Sequence, residues 1–148
     1  MKPENWVFEH YHEFAEKINP VLRAALAGQL RPKEQKQMVE AWLGLALFHD
    51  KVPVSLEEII ASADAINFGI PTPEEVAWGF LRLKERGWLA IDGDLYGLTS
   101  EGRRAIDTIV SQGNVERLTD WISIHPPSGR MTAIDVFLTL GKRKTGKD

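Results

Sequence analysis

The chain has 148 residues, of which 43% are hydrophobic and 26% are charged, and its formal net charge is −3. This composition is typical of a globular protein with one sizeable core, and it lies far from that of disordered chains. The negative net charge argues against a protein that binds nucleic-acid phosphates over most of its surface. The lack of cysteine excludes disulfides, thiolate metal clusters and a cysteine nucleophile.

No stretch of the sequence is typical of a signal peptide or of a membrane-spanning helix. Glu4 and Glu9 come too early for a signal peptide, and the apolar run 41–48 is too short for a bilayer and contains Gly44. We therefore expect a cytoplasmic protein without a membrane partner.

Residues 1–30 are predicted to form two helices. The first is indicated by apolar residues that recur at alternating spacings of four and three, namely Val7, Tyr11, Phe14 and Ile18. Asn19 followed by Pro20 is typical of a cap and a first helical position, and Gly28 is placed to end the second helix.

A deeply buried helix is predicted next, beginning at Arg31 and Pro32 and ending near His49 and Asp50. Its broad apolar face is formed by Met38, Val39, Trp42, Leu43, Leu45 and Ala46. The following residues, 52–54, are expected to be extended, because the residue before Pro53 avoids the helical region.

Two well-marked helix starts follow. Ser55 with Glu58 has the reciprocal capping pattern. Thr72 is a cap before Pro73, and that helix is predicted to run to Arg86 and to stop at Gly87.

The only strong β signal is a hairpin, with strands at 88–91 and 95–98 around an Asp92-Gly93-Asp94 turn. Thr99 is expected to cap a helix that ends at Gly113. Beyond it we predict a helix from Asn114, a last helix over about 131–140, and a mobile basic tail at 141–148.

The order of three helices, a hairpin and a helix resembles the winged-helix (winged helix-turn-helix) superfamily of bacterial transcriptional regulators. The residues that carry the resemblance are the helix ending Leu83-Lys84-Glu85-Arg86-Gly87-Trp88-Leu89 and the wing ending Tyr96-Gly97-Leu98-Thr99-Ser100-Glu101-Gly102. The resemblance implies a mostly α fold with a small two-stranded β-wing, in which residues 31–113 form the winged-helix domain. Residues 1–30 and 114–140 are extra helices, whose layout is similar to that of regulators that form homodimers through terminal helices.

The resemblance also implies binding to duplex DNA, with the third helix of the domain in the major groove. Phosphate contacts are then expected from two arginines on that helix and two after the wing, namely Arg82, Arg86, Arg103 and Arg104. The charge pattern opposes this hypothesis. The outward side of the helix carries Glu74, Glu75 and Glu85 against Arg82, and the hairpin tip carries two aspartates.

An alternative is a winged-helix module that binds a protein partner and not DNA. Trp78 and Leu81 lie away from the predicted core side of the third helix, which is formed by Val76, Phe80 and Leu83. Exposed aromatic and aliphatic neighbours often mark a protein interface. The sequence also leaves open that flanking helices cover Trp78, and that a small molecule binds between the N-terminal helices and the wing.

The sequence predicts no enzyme, no metal site and no cofactor. Glu9, His12 and Glu16 have ligand spacing on one helix side, but the second Glu-x-x-His motif of carboxylate metal bundles is missing. No glycine-framed nucleophile and no phosphate-binding glycine loop is present.

Overall fold

The structure, a computed structural model, describes residues 6–33, 36–113 and 115–125. It confirms the predicted fold class, because these residues form mostly helices with one small antiparallel sheet. The elements are α1 (Trp6–Leu26), α2 (Gln37–His49), α3 (Leu56–Asn67), α4 (Pro73–Arg86), β1 (Leu89–Asp92), β2 (Leu95–Leu98), α5 (Ser100–Val110) and α6 (Val115–Ile124). None of the helices in these ranges is long and apolar enough to cross a membrane. The last predicted helix and the tail lie outside the described residues.

Helix α2 is the centre of the core and packs against α3, α4 and α6. The six consecutive residues from Val39 to Gly44 are all buried. The Trp42 indole Nε1 donates a hydrogen bond of 2.8 Å to the carbonyl oxygen of Ala63, which ties α2 to α3. The predicted apolar face is wrong at its first residue, since Met38 is 45% exposed.

The prediction of two N-terminal helices is wrong, because α1 is one helix that contains Pro20. Proline within a helix removes one backbone hydrogen bond. Here it lies on the exposed side, while the buried stripe continues past it through Tyr11, Ala15, Ile18, Leu22 and Ala25. Packing of this stripe against α3 and α4 offsets the lost bond. Phe14, which we predicted on the stripe, is 39% exposed, and Ala15 takes its place.

Helix α2 begins at Gln37 and not at Arg31. In the described part of the segment before α2, Lys33 bonds to α4 and not within a helix. The backbone N–H of Lys33 donates a hydrogen bond of 2.7 Å to the Glu74 carboxylate, so this N–H group is satisfied without a helix.

The predicted cap residues of α3 and α4 are confirmed, but at α3 the reciprocal bond from Glu58 back to Ser55 is not formed. Ser55 Oγ accepts a hydrogen bond from the backbone N–H of Glu58. Thr72 and Glu75 form a full capping box, with reciprocal hydrogen bonds of 3.1 and 2.8 Å. At the other end of α4, Gly87 has a φ of 81° and stops the helix as predicted.

The hairpin is also confirmed, with Leu89 opposite Leu98 and Asp92 opposite Leu95. Val54, in the segment before α3, pairs with Tyr96 of β2 through two backbone hydrogen bonds of 2.9 and 2.8 Å and forms an isolated antiparallel bridge. The hairpin therefore has a fixed position beside the start of α3.

Thr99 joins the hairpin to the helices on both sides. Its hydroxyl donates a hydrogen bond of 2.8 Å to the Gly87 carbonyl oxygen and accepts one of 3.1 Å from the Gly102 N–H. Gly102 is required here because a Cβ atom at this position would lie 2.6 Å from the Cβ of Trp88 and 3.0 Å from its Cα. The threonine and glycine of the wing ending thus have a packing role.

We expect Gly102→Ala to lower the free energy of unfolding by about 1–3 kcal/mol, because the methyl group overlaps Trp88 close to its backbone. Helix propensity alone would give the opposite sign, since alanine is favoured over glycine in a helix. Urea denaturation measures the difference. Gly69→Ala is the control, since the nearest atom to its added methyl group is 3.8 Å away. Equal stability of the two variants would contradict the prediction.

Candidate functional site

The outward side of α4 carries the residues that we predicted for a protein interface. The Trp78 ring is partly buried, and its Nε1 donates a hydrogen bond of 3.1 Å to the carbonyl oxygen of Lys36. The guanidinium carbon of Arg82 lies 4.6 Å from the centre of that ring. Arg82 also donates a hydrogen bond of 3.0 Å to Glu85. With Leu81, which is partly exposed, these side chains form what we call the α4 strip: Trp78, Leu81, Arg82 and Glu85.

The segment between α1 and α2 lies against α4, and we call its described residues, 27–33 and 36, the strap. Lys84 Nζ donates a hydrogen bond of 2.8 Å to the Leu26 carbonyl oxygen, where the strap begins. Lys33 then contacts Glu74, and Lys36 contacts Trp78. Helix α1 packs on α4 as well. The sequence left open that flanking helices cover Trp78; its hydrogen bond is instead with Lys36 of the strap, which is not helical.

Arg86 is part of the core. Its Nε lies 2.5 Å from a carboxylate oxygen of Glu40, and the side chains of the two residues are only 6% and 1% exposed. The guanidinium carbon lies 5.1 Å from the Trp88 ring centre and 5.2 Å from that of Trp121. Arg86 therefore joins α4 to α2 and α6, and in this arrangement it does not reach a phosphate group.

Burial raises the pKa of Glu40, and the charge of the adjacent Arg86 opposes that rise. A buried ion pair adds little net stability, because both groups lose their hydration. Removal of one partner is costly, because a charge is then left buried without compensation. The burial of Glu40 is therefore tolerated only with Arg86 beside it, and the burial of Arg86 only with Glu40.

Arg103 caps the end of α2. One guanidinium nitrogen donates a hydrogen bond of 3.0 Å to the Phe48 carbonyl oxygen, and another donates to the Asp50 carbonyl oxygen. Cations are favourable at this end of a helix. Arg104, the next residue, is exposed on α5. The structure therefore does not gather the four predicted arginines into one surface.

The hairpin tip is held against α1. Asp94 forms an ion pair with Arg23, and the Arg23 Nε donates a hydrogen bond of 3.2 Å to Asn19 in the same helix. Sequence reasoning did not select Arg23, since its partner is 71 residues away. The Asp94 carboxylate, which we took as unfavourable for DNA binding, has a structural partner.

His12 connects α1 to α3. Its Nδ1 lies 2.8 Å from Glu57 and its Nε2 lies 3.4 Å from Glu16. The hydrogen bond with Glu57 raises the pKa of His12, and the charges of both carboxylates add to the rise. In the described ranges no three histidine, aspartate or glutamate residues are placed to hold a metal ion.

We expect Arg86→Met to lower the free energy of unfolding by about 3–5 kcal/mol, because Glu40 is left as a buried charge. Since this change raises the pKa of Glu40 further, the cost should shrink as the pH falls and the carboxyl group becomes protonated. Arg104→Met, on the surface, should change stability by no more than about 0.5 kcal/mol. The double variant Glu40→Met/Arg86→Met should regain much of the loss. Equal stability of the two single variants in urea would refute a structural role for the pair.

The His12 contacts predict a pH-dependent contribution to stability. Because the folded pKa is raised, this contribution is fully present below the ordinary value of 6.5 and is lost as the pH rises through the folded pKa. Urea unfolding from about pH 5.5 to about pH 8.5 should show a smaller decline for His12→Asn than for the unmodified protein. Glu57→Gln should bring the pKa of His12, followed by NMR, back toward 6.5. An unchanged pKa in that variant would disprove the role of Glu57.

No protein-family model matches the sequence, and no curated protein matches it either.

Proposed function

We propose that residues 31–113 form a winged-helix module that binds a protein partner through the α4 strip and does not read duplex DNA in the usual pose. The observation that carries the proposal is the set of contacts made by the outward side chains of α4. On this side the strap contacts Glu74 and Trp78, and the arginines of α4 are engaged with Glu85 and Glu40. The order of three helices, a hairpin and a helix supports the winged-helix assignment.

The charges around α4 disfavour phosphate binding. Non-specific affinity for DNA comes mainly from lysine and arginine side chains that displace counterions. On α4 the cations Arg82 and Lys84 stand against Glu74, Glu75 and Glu85. The hairpin tip adds two aspartates. On α4 and the hairpin tip, carboxylates therefore outnumber guanidinium and ammonium groups.

The α4 strip has the chemistry of a protein-binding surface. Tryptophan and arginine are the residue types most enriched among side chains that dominate binding energy. Arg82 is already stacked on Trp78 and bonded to Glu85, and its side chain is only 19% exposed. A partner would therefore meet an ordered surface and lose little side-chain entropy on binding. Leu81 adds an apolar contact at the margin.

The regulator hypothesis from the sequence becomes the competing proposal, and it has to rest on Arg82 and Arg104. Arg86 and Arg103 are engaged with groups of their own chain. The regulator hypothesis predicts an affinity for DNA that falls as the salt concentration rises, whereas the protein-binding hypothesis predicts no affinity at any salt concentration.

We expect no binding to a random DNA duplex in fluorescence anisotropy, even at low salt. The measurement uses a salt series with the unmodified protein and with Arg82→Glu/Arg104→Glu. Affinity that falls steeply with salt and is lost in the double variant would overturn the proposal in favour of the regulator.

The same proposal predicts a protein neighbour at position 81. With Leu81→p-benzoylphenylalanine, irradiation in cells should give a discrete protein adduct, and Arg104→p-benzoylphenylalanine should not. An adduct of twice the chain mass would identify the partner as a second copy, which also tests the predicted homodimer. Adducts with DNA, or equal adducts from both positions, would count against the α4 strip.

A further inference from the structure

A cleft of about 550 Å³ lies between the C-terminal half of α1 and the hairpin. This volume falls within the range of small-molecule sites, which is roughly 300–1,000 Å³. One wall is formed by Pro20, Ala24 and Ala27, and the opposite wall by Ile91 and Tyr96. The short side chains on α1 leave room, and Ile91 is 49% exposed. The walls therefore suit the apolar body of a small ligand.

Tyr96 lines this cleft, and most of its side chain is enclosed by the core. The residue is 3% exposed, and its ring is held by an edge contact with Phe80 at 5.3 Å between ring centres. Within the described ranges its hydroxyl has no hydrogen-bond partner. A hydroxyl group without a protein partner is available to hydrogen-bond a ligand in the cleft. Burial also raises the pKa of Tyr96, so the group stays protonated and can donate a hydrogen bond.

Arg23 supplies a cation at the same cleft. A guanidinium group has five N–H donors, and the contacts with Asn19 and Asp94 use only part of them. The Asp94 carboxylate shows that an organic carboxylate can occupy this position. The pair is easily replaced, because the two side chains are 52% and 83% exposed and exposed ion pairs contribute little.

We propose that this cleft binds a small organic carboxylate with an apolar body. The ligand carboxylate pairs with Arg23 and accepts a hydrogen bond from the Tyr96 hydroxyl, and the body lies between Ala24 and Ile91. The ligand replaces Asp94 as the partner of Arg23 and so releases the hairpin tip from α1. This inference does not depend on the proposed function of the α4 strip.

The test is an NMR titration of the ¹⁵N-labelled full chain with phenylacetate, and with phenylacetamide as a neutral ligand of the same shape. Phenylacetate should shift the amide signals of Ala24, Ile91 and Gly93 in a saturable way. Phenylacetamide should bind at least about tenfold more weakly, because it lacks the charge. Equal binding of the two ligands, or no shift with either, would overturn the proposal.

Variants identify the groups that hold the ligand. Arg23→Gln should weaken phenylacetate binding by about tenfold or more, and Tyr96→Phe should weaken it by a smaller factor. Asp94→Asn should tighten binding by about two- to fivefold, because it removes the competing carboxylate. A merely destabilised protein would not show this gain. Arg104→Gln, outside the cleft, should bind as the unmodified protein does. Unchanged affinity in Arg23→Gln, or no gain in Asp94→Asn, would refute the proposed geometry.

Discussion

The complete burial of α2 is the constraint on which the rest of the structure depends. Residues 39–44 are buried without a gap, and six residues cover more than one full helical turn. Neighbours are therefore required on every side of this helix, and α3, α4 and α6 provide them. Glu40 lies within the run, so its carboxylate has to be buried as well. Arg86 is the compensating charge, and this explains why an arginine in the position of a DNA contact lies in the core.

A second constraint comes from α1. Its buried stripe runs through Ile18 to Ala25, past Pro20, because the helix has to cover α3 and α4 over its whole length. The chain then has to return to the start of α2, and it does so along α4. The strap is therefore a consequence of how α1 is placed. The part of α4 left to a partner is only the α4 strip.

Features that depend on local chemistry could be predicted from the sequence. The caps at Ser55 and Thr72, the stop at Gly87 and the hairpin are each set by a few neighbouring residues, and the structure has all of them. The break predicted at Pro20 failed because packing with distant helices outweighed a local penalty. A period of 3.6 residues cannot distinguish Phe14 from Ala15 when both lie near the edge of the buried face.

The candidate site was less predictable, because its chemistry depends on pairs that are far apart in sequence. The separation is 46 residues between Arg86 and Glu40 and 55 residues between Arg103 and Phe48. From sequence alone each arginine is an exposed cation by default. The acidic residues of α4, in contrast, could be identified from the sequence alone, because their number does not depend on which groups they contact.

The end of α1 connects the two surfaces that we propose. Leu26 lines the cleft, and its carbonyl oxygen accepts the hydrogen bond from Lys84 at the start of the strap. Two sites affect each other only if one ligand has different affinities for two arrangements of the chain. A ligand that binds without disturbing the ion pair of Arg23 and Asp94 has the same affinity for the arrangements with and without that ion pair. A carboxylate that replaces Asp94 binds only the arrangement in which the ion pair is broken. It contacts the end of α1, and the strap runs from this end along α4 toward Trp78.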